Sequence, residues 1–162
     1  MTKEQRKQQT IYILSELLPD DEIKLFAPKP YFSVYLPKSP MANKNGEVPA
    51  HRLICWLSHG APYYSECSYC DYPILWKMRV NVNHAQQKVV NVDHLNSDKL
   101  DNRPTNLVPA CCWCNANREW ASEIDYGYHG TFFDYMIDRY RTMPPWERPN
   151  MIDCAQLLGM SP

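Results

Sequence analysis

Residues 90–118 read VNVDHLNSDKLDNRPTNLVPACCWCNANR, and this stretch decides how the rest of the chain is understood. It opens on an apolar run ending in Asp93-His94, passes through a turn-rich loop that holds Asn106, and closes on Cys111-x-x-Cys114 followed at once by Asn115. A second pair, Cys67-x-x-Cys70, lies upstream. Together the two pairs supply four soft sulfur donors, the set that closes a tetrahedral zinc site and leaves no open position for a substrate. A metal held this way is structural, and its binding free energy becomes folding free energy. Cys112 competes for a place, but Cys112-x-Cys114 has the wrong spacing for a knuckle.

Asp93 and Asn115 offer oxygen donors, which suit a hard divalent cation such as magnesium or manganese. A carboxylate and an amide alone underfill such a cation and leave room for phosphate oxygens and water. His94, whose ordinary pKa is about 6.5, is a candidate general base for activating that water. A base, a Lewis acid and a structural clamp are the parts needed for phosphodiester hydrolysis.

Working outward, the 162 residues amount to about one domain with appendages. A net charge of −1 with 22% charged residues gives no global basic field, so any nucleic-acid contact has to be local. No run approaches the roughly 18 apolar residues of a membrane helix. The start, MTKEQRKQQT, is polar with no apolar block behind it, so the expectation is an intracellular, cytoplasmic protein and no membrane. Seven cysteines are an odd count, and their paired spacing favours reduced, metal-binding thiols over disulfides.

Ile11, Leu14, Leu17 and Leu18 recur at spacings of three and four and predict an amphipathic packing helix from Lys3 to Leu18, ended by Pro19. Tyr31 to Leu36 predicts a short strand, and Ser39 to Glu47, tightest at Asn45-Gly46, predicts the loop of a hairpin. Val48 to His59 predicts a short helix with Cys55 as a buried core thiol. Strands are expected over 73–80 and 88–92, with His84 in an exposed turn between them. Helices are expected from Trp113 to Ile124 and from Thr131 to Arg141.

The order Asp93-His94, then Leu100-Asp101-Asn102-Arg103-x-x-Asn106-Leu107, then Cys111-x-x-Cys114-Asn115 resembles the HNH endonucleases, in their four-cysteine, phage-associated form. The resemblance implies an α+β fold with a ββα-metal core and a structural zinc site, flanked by N-terminal and C-terminal helical segments. On that reading residues 1–62 hold the first helix, short strands and an HRL-type helix, 63–125 the nuclease core with its zinc knuckles, and 126–162 a C-terminal helical extension. The core strands would be Lys88 to Asp93 and Leu107 to Ala110, with the helix starting near Cys112.

The same resemblance makes His94 the general base and Asp93 with Asn115 the ligands of a catalytic Mg2+ or Mn2+. Asn106 would hold the loop and orient the histidine. Many members have histidine where this chain has Asn115, although asparagine occurs in phage-type members. A looser likeness covers Val48-Pro49-Ala50-His51-Arg52-Leu53, Trp56 and Gly60, for which core packing accounts for most. Arg103 and Arg118 flank the site and are candidate phosphate contacts; ordinary surface arginines, or an ion pair for Arg103, are the alternative. The implied function is a metal-dependent DNA endonuclease that nicks or cuts its substrate, with DNA as partner and room for a terminase or another phage protein. The alternative is a non-catalytic, zinc-stabilised DNA-binding or phage assembly module.

Overall fold

The computed structural model describes residues 1–27, 30–76 and 89–144. The expected strand continuation at 77–80, the turn with His84, the basic residues Lys77, Arg79 and Lys88, and the chain beyond 144 lie outside the described residues. The described strands are β1 (Leu25–Phe26), β2 (Ser33–Tyr35), β3 (Glu47–Pro49), β4 (Tyr64–Glu66), β5 (Pro73–Leu75), β6 (Asn91–His94) and β7 (Leu107–Ala110). The helices are α1 (Lys3–Leu17), α2 (Ala50–Ser58), α3 (Cys112–Ser122) and α4 (Phe132–Thr142). The result is a mixed α+β protein with small sheets, divided into two compact units. No helix among the described residues is long and apolar enough to cross a membrane.

The first unit takes in Met1–Tyr63 and Val92–Pro109, with Trp76. Its entry helix α1 is fixed by a capping box: the Gln5 N–H donates to Thr2 Oγ1 at 3.2 Å, and the Thr2 N–H donates to Gln5 Oε1 at 2.7 Å. The face that α1 buries is Thr10 and Leu14, not the wholly apolar stripe that the leucine spacing predicts. Strands β1, β2 and β3 form an antiparallel sheet in that order, with Val34 opposite Val48. Their connecting loop closes on Asn43, whose Oδ1 accepts from the N–H groups of Asn45 and Glu47. Gly46 has φ 78°, and a Cβ there would stand 2.9 Å from the Tyr35 ring, so glycine is required for both reasons. Helix α2 packs on α1 and β3 and buries Leu53 and Ile54; Leu14, Phe32, Val34, Val48 and Trp76 are buried in the same unit. Strands β6 and β7 pair with each other.

Among the described residues the second unit takes in Tyr64–Leu75, 89–91 and 110–144. Strands β4 and β5 form an antiparallel hairpin in which Tyr64 faces Leu75 and Glu66 faces Pro73. Its turn is the first cysteine pair; the Cys67 N–H bonds the Tyr72 carbonyl at 2.8 Å, and Asp71 sits at φ 60°. Helices α3 and α4 pack together through Trp113 stacked on Phe133, with ring centres 6.3 Å apart. Tyr69 meets the edge of the same Phe133 at 5.6 Å, which carries the hairpin turn onto α4. A capping box at Thr131 and Asp134 starts α4, Oγ1 and Oδ2 each accepting a backbone N–H. At its other end Arg141 donates to the Tyr69 carbonyl and pairs with Asp71.

Candidate active site and metal centre

In the first unit, Asp93 and His94 close β6, and Val92, Asp93 and His94 are all buried. Successive strand residues point to opposite faces, so both faces of this strand end are covered. The loop behind it, residues 95–106, is built from side-chain hydrogen bonds to backbone, the usual bonding of Asn- and Asp-rich turns. Asn106 is its clasp. Its Nδ2 donates to Asn96 Oδ1 at 2.9 Å and to the Asp101 carbonyl at 2.8 Å, and its Oδ1 accepts from the Asn96 N–H at 3.1 Å. Its backbone carbonyl accepts from the Leu95 N–H at 2.9 Å. These bonds tie Asn106 to both the start and the middle of the loop.

One hydrogen bond to His94 comes from Asn102. His94 Nε2 lies 3.2 Å from Asn102 Oδ1, and Asn102 Nδ2 donates to Thr10 Oγ1 at 3.2 Å. Thr10 Oγ1 in turn donates to the Arg6 carbonyl at 2.8 Å. The imidazole also has neighbours on its faces: the ring centres of His51 and Tyr31 stand 5.4 Å and 6.1 Å away. His51 itself lies 4.4 Å from Tyr31, and its Nδ1 is buried with no hydrogen-bond partner. Burial first, then His94 and Arg52, pushes the His51 imidazole down to about 3. Burial also lowers the pKa of His94, although the bond to Asn102 and the charges of Asp93, Asp98 and Asp101 pull the other way. Desolvation thus disfavours the charged form of both rings.

Beneath the loop lies an ionic hub on Asp101, a fully buried carboxylate. Arg103 grips it with two parallel bonds, Nε to Oδ1 at 2.9 Å and Nη2 to Oδ2 at 2.7 Å. Arg6 adds Nη1 at 3.3 Å and holds Asp98 at 2.8 Å, while Asn96 Nδ2 donates to Asp101 at 2.8 Å. The Arg103 bonds, with help from Asn96 and Arg6, hold the Asp101 carboxyl at about 2. Of the two alternatives open for Arg103, the ion pair is formed, and its other guanidinium nitrogen is not part of it. Sequence reasoning gave no role to Asn102, Thr10, Arg6 or Tyr31. Asn102 stood inside the quoted motif; the others carry no local signal.

In the second unit, Cys67, Cys70, Cys111 and Cys114 are all buried, and their sulfurs lie within 4.8 Å of one another. Sulfurs on a tetrahedral zinc with bonds of about 2.3 Å stand about 3.8 Å apart, and Cys70 Sγ to Cys111 Sγ is 3.9 Å. That separation excludes a disulfide for this pair and fits four donors around one soft divalent cation. The Cys114 N–H donates to Cys111 Sγ at 3.4 Å, which spreads thiolate charge into the first turn of α3. Hydrogen bonds from Cys111 first and Cys114 second hold Cys67 and Cys70 below the ordinary thiol range. The group can hold a structural metal such as zinc. Cys112, half-buried next door, is outside it.

Asn115, Arg118 and the cysteine cluster belong to this second unit, whereas Asp93, His94, Asn106 and Arg103 belong to the first. Asn115 lies on the first turn of α3, half-buried, with its N–H on the Cys111 carbonyl at 3.0 Å; its part as a cation ligand rests on the family resemblance. Arg118 is half-buried on the same helix. Among the described residues the four cysteines are the one group of three or more metal-ligating side chains. No protein-family model, no curated protein and no solved structure matches the chain.

Proposed function

We propose that this chain is a metal-dependent DNA endonuclease of the HNH kind, hydrolysing phosphodiester bonds with His94 as general base on a ββα-metal core. The observation that carries the reading is the setting of His94: a buried imidazole at the end of β6, next in sequence to the Asp93 carboxylate and held through Nε2 by Asn102. A strand, a cross-bonded loop, a second strand and a helix follow one another along the chain in the order such a core requires. On this reading His94 takes a proton from water, the water oxygen attacks phosphorus, and the bond to the leaving oxygen breaks. Asp93 would hold the Mg2+ or Mn2+, whose chemistry is charge neutralisation at the phosphate and leaving oxygen. Zinc at the four cysteines takes no part in the reaction.

The test is nicking of supercoiled plasmid by the zinc-loaded chain with magnesium or manganese. Cleavage by the wild type is expected, falling by roughly 10²–10⁴-fold in His94→Ala, the usual contribution of a general base. Inactivity of the wild type with every cation, or an undiminished His94→Ala, would sink the nuclease reading and leave the binding or assembly module.

A further inference from the structure

The hydrogen bonds running from α1 to His94 have a direction, and that direction decides which imidazole nitrogen carries the proton. Thr10 has one hydroxyl hydrogen, and its Oγ1 lies 2.8 Å from the Arg6 carbonyl one turn back, where that hydrogen is donated. Only lone pairs remain to face Asn102, whose amide nitrogen stands 3.2 Å away and donates to them. With its NH2 turned to Thr10, Asn102 presents its carbonyl oxygen to His94 Nε2 at 3.2 Å. An oxygen in that position accepts, so Nε2 must carry the hydrogen and the lone pair falls on Nδ1.

We propose that Thr10 and Asn102 are positioning residues that select the Nε2–H tautomer of His94. The proposal rests on His94 as the base, but the tautomer is a property of the resting protein and is read without any substrate. The opposite polarity is chemically consistent: the Thr10 hydroxyl would donate to Asn102 Oδ1, the amide NH2 would donate to Nε2, and that nitrogen's lone pair would be consumed. What favours the first is that a buried Ser or Thr hydroxyl in a helix bonds the carbonyl four residues back. Exposures of 1% for Thr10, 1% for Asn102 and 5% for His94 leave water little access to these bonds. The His51 and Tyr31 rings beside the imidazole hinder the half-turn that would exchange its nitrogens.

The measurement is the 15N spectrum of His94 in the full, zinc-loaded chain. Wild type should show a protonated Nε2 and an unprotonated Nδ1. Thr10→Val, which keeps the shape and removes the hydroxyl, should move His94 toward a mixture of tautomers, and Thr10→Ser should restore the wild-type signature. Adding Asn102→Asp to Thr10→Val supplies a carboxylate that accepts from Nε2 without help from Thr10; return of the signature there separates a lost tautomer from a lost fold. In cleavage, Thr10→Val should lower kcat about tenfold with KM unchanged, a fraction of what a general base contributes. A protonated Nδ1 in the wild type, or a Thr10→Val spectrum identical to it, overturns the proposal. A wild type that fails to cleave DNA refutes the nuclease reading instead, and the spectra still decide this one.

Discussion

The loop of residues 95–106 and the cysteine cluster are both places where an irregular stretch of chain is pinned, and they are pinned by different chemistry. The loop is held by many directional bonds of ordinary strength, spread over Asn96, Asp98, Asp101, Asn102 and Asn106, with partners reaching back to Arg6 and Thr10. The cluster depends on four sulfurs within 4.8 Å of one another, with one cation able to satisfy all of them. Distributed bonds fail one at a time, by about 1–3 kcal/mol for each buried partner lost. A metal site fails as a whole, because three thiolates left around a cation bind it far less well than four, and its binding energy is folding energy. Redundancy lets the loop lose one bond and keep its shape, whereas concentration makes the cysteine site stand or fall with one set of ligands.

The sharpest way to break that contrast is at the cluster. Cys67→Ser, or a strong chelator added to the wild type, should cost more than about 3 kcal/mol of stability, given that structural zinc binds its peptides with roughly 10–16 kcal/mol. The expected loss is seen as a lower melting temperature together with one equivalent of zinc released. A Cys67→Ser protein that melts like the wild type with its zinc retained would show that the four sulfurs do not act as one site.

Removing the hub of the loop should do less, and should depend on pH. Asp101 titrates at about 2 in the folded chain, below the ordinary carboxylate value of about 3.9 in the unfolded one. A depressed pKa of this kind contributes stability that is fully present above the unfolded value and disappears as pH falls through the folded one, here between about 4 and 2. Asp101→Asn keeps the shape and cannot be ionised, so it should lower stability at neutral pH by on the order of 2 kcal/mol and flatten the acid limb of the stability curve. An acid limb unchanged by the substitution would mean that the Arg103 and Arg6 bonds to Asp101 do not contribute to holding the loop.

The contrast also explains what could be read in advance. The cysteine cluster was legible because C-x-x-C spacing is a local code: Cys67, Cys70, Cys111 and Cys114 come together as the spacing predicts. The strand Leu107–Ala110 and a helix start near Cys112 were expected from the family resemblance; the apolar stripe alone put the helix start one residue later, at Trp113. The loop's partners were not legible. The inner face of α1 carries Thr10 as well as Leu14 because Thr10 answers Asn102, 92 positions away. Arg6 answers Asp98 at the same separation. A hydrophobic stripe reports what packs against apolar neighbours; it says nothing of a polar residue buried for a partner that the helix sequence does not contain. His51 was similarly hidden, because a histidine on the buried face of α2 reads as core until its neighbour His94 is seen.

The smallest effect should come from the one strained residue in the loop. Ser97 has φ 62°, a left-handed conformation that costs a residue with a Cβ roughly 1–2 kcal/mol. It holds that angle because its N–H bonds the His94 carbonyl at 2.8 Å, turning the chain immediately after the strand. Glycine takes the same angle without the clash but adds freedom to the unfolded chain, which offsets part of the relief. Ser97→Gly should therefore stabilise the protein by no more than about 1 kcal/mol, with the His94 tautomer signature unchanged. If instead the substitution destabilises, the Ser97 side chain contributes to the loop beyond its backbone angle, and the loop's bonds are more numerous than the distances above account for. The sign of a change of under about 1 kcal/mol thus reports whether the turn behind His94 is held by backbone geometry or by its side chains.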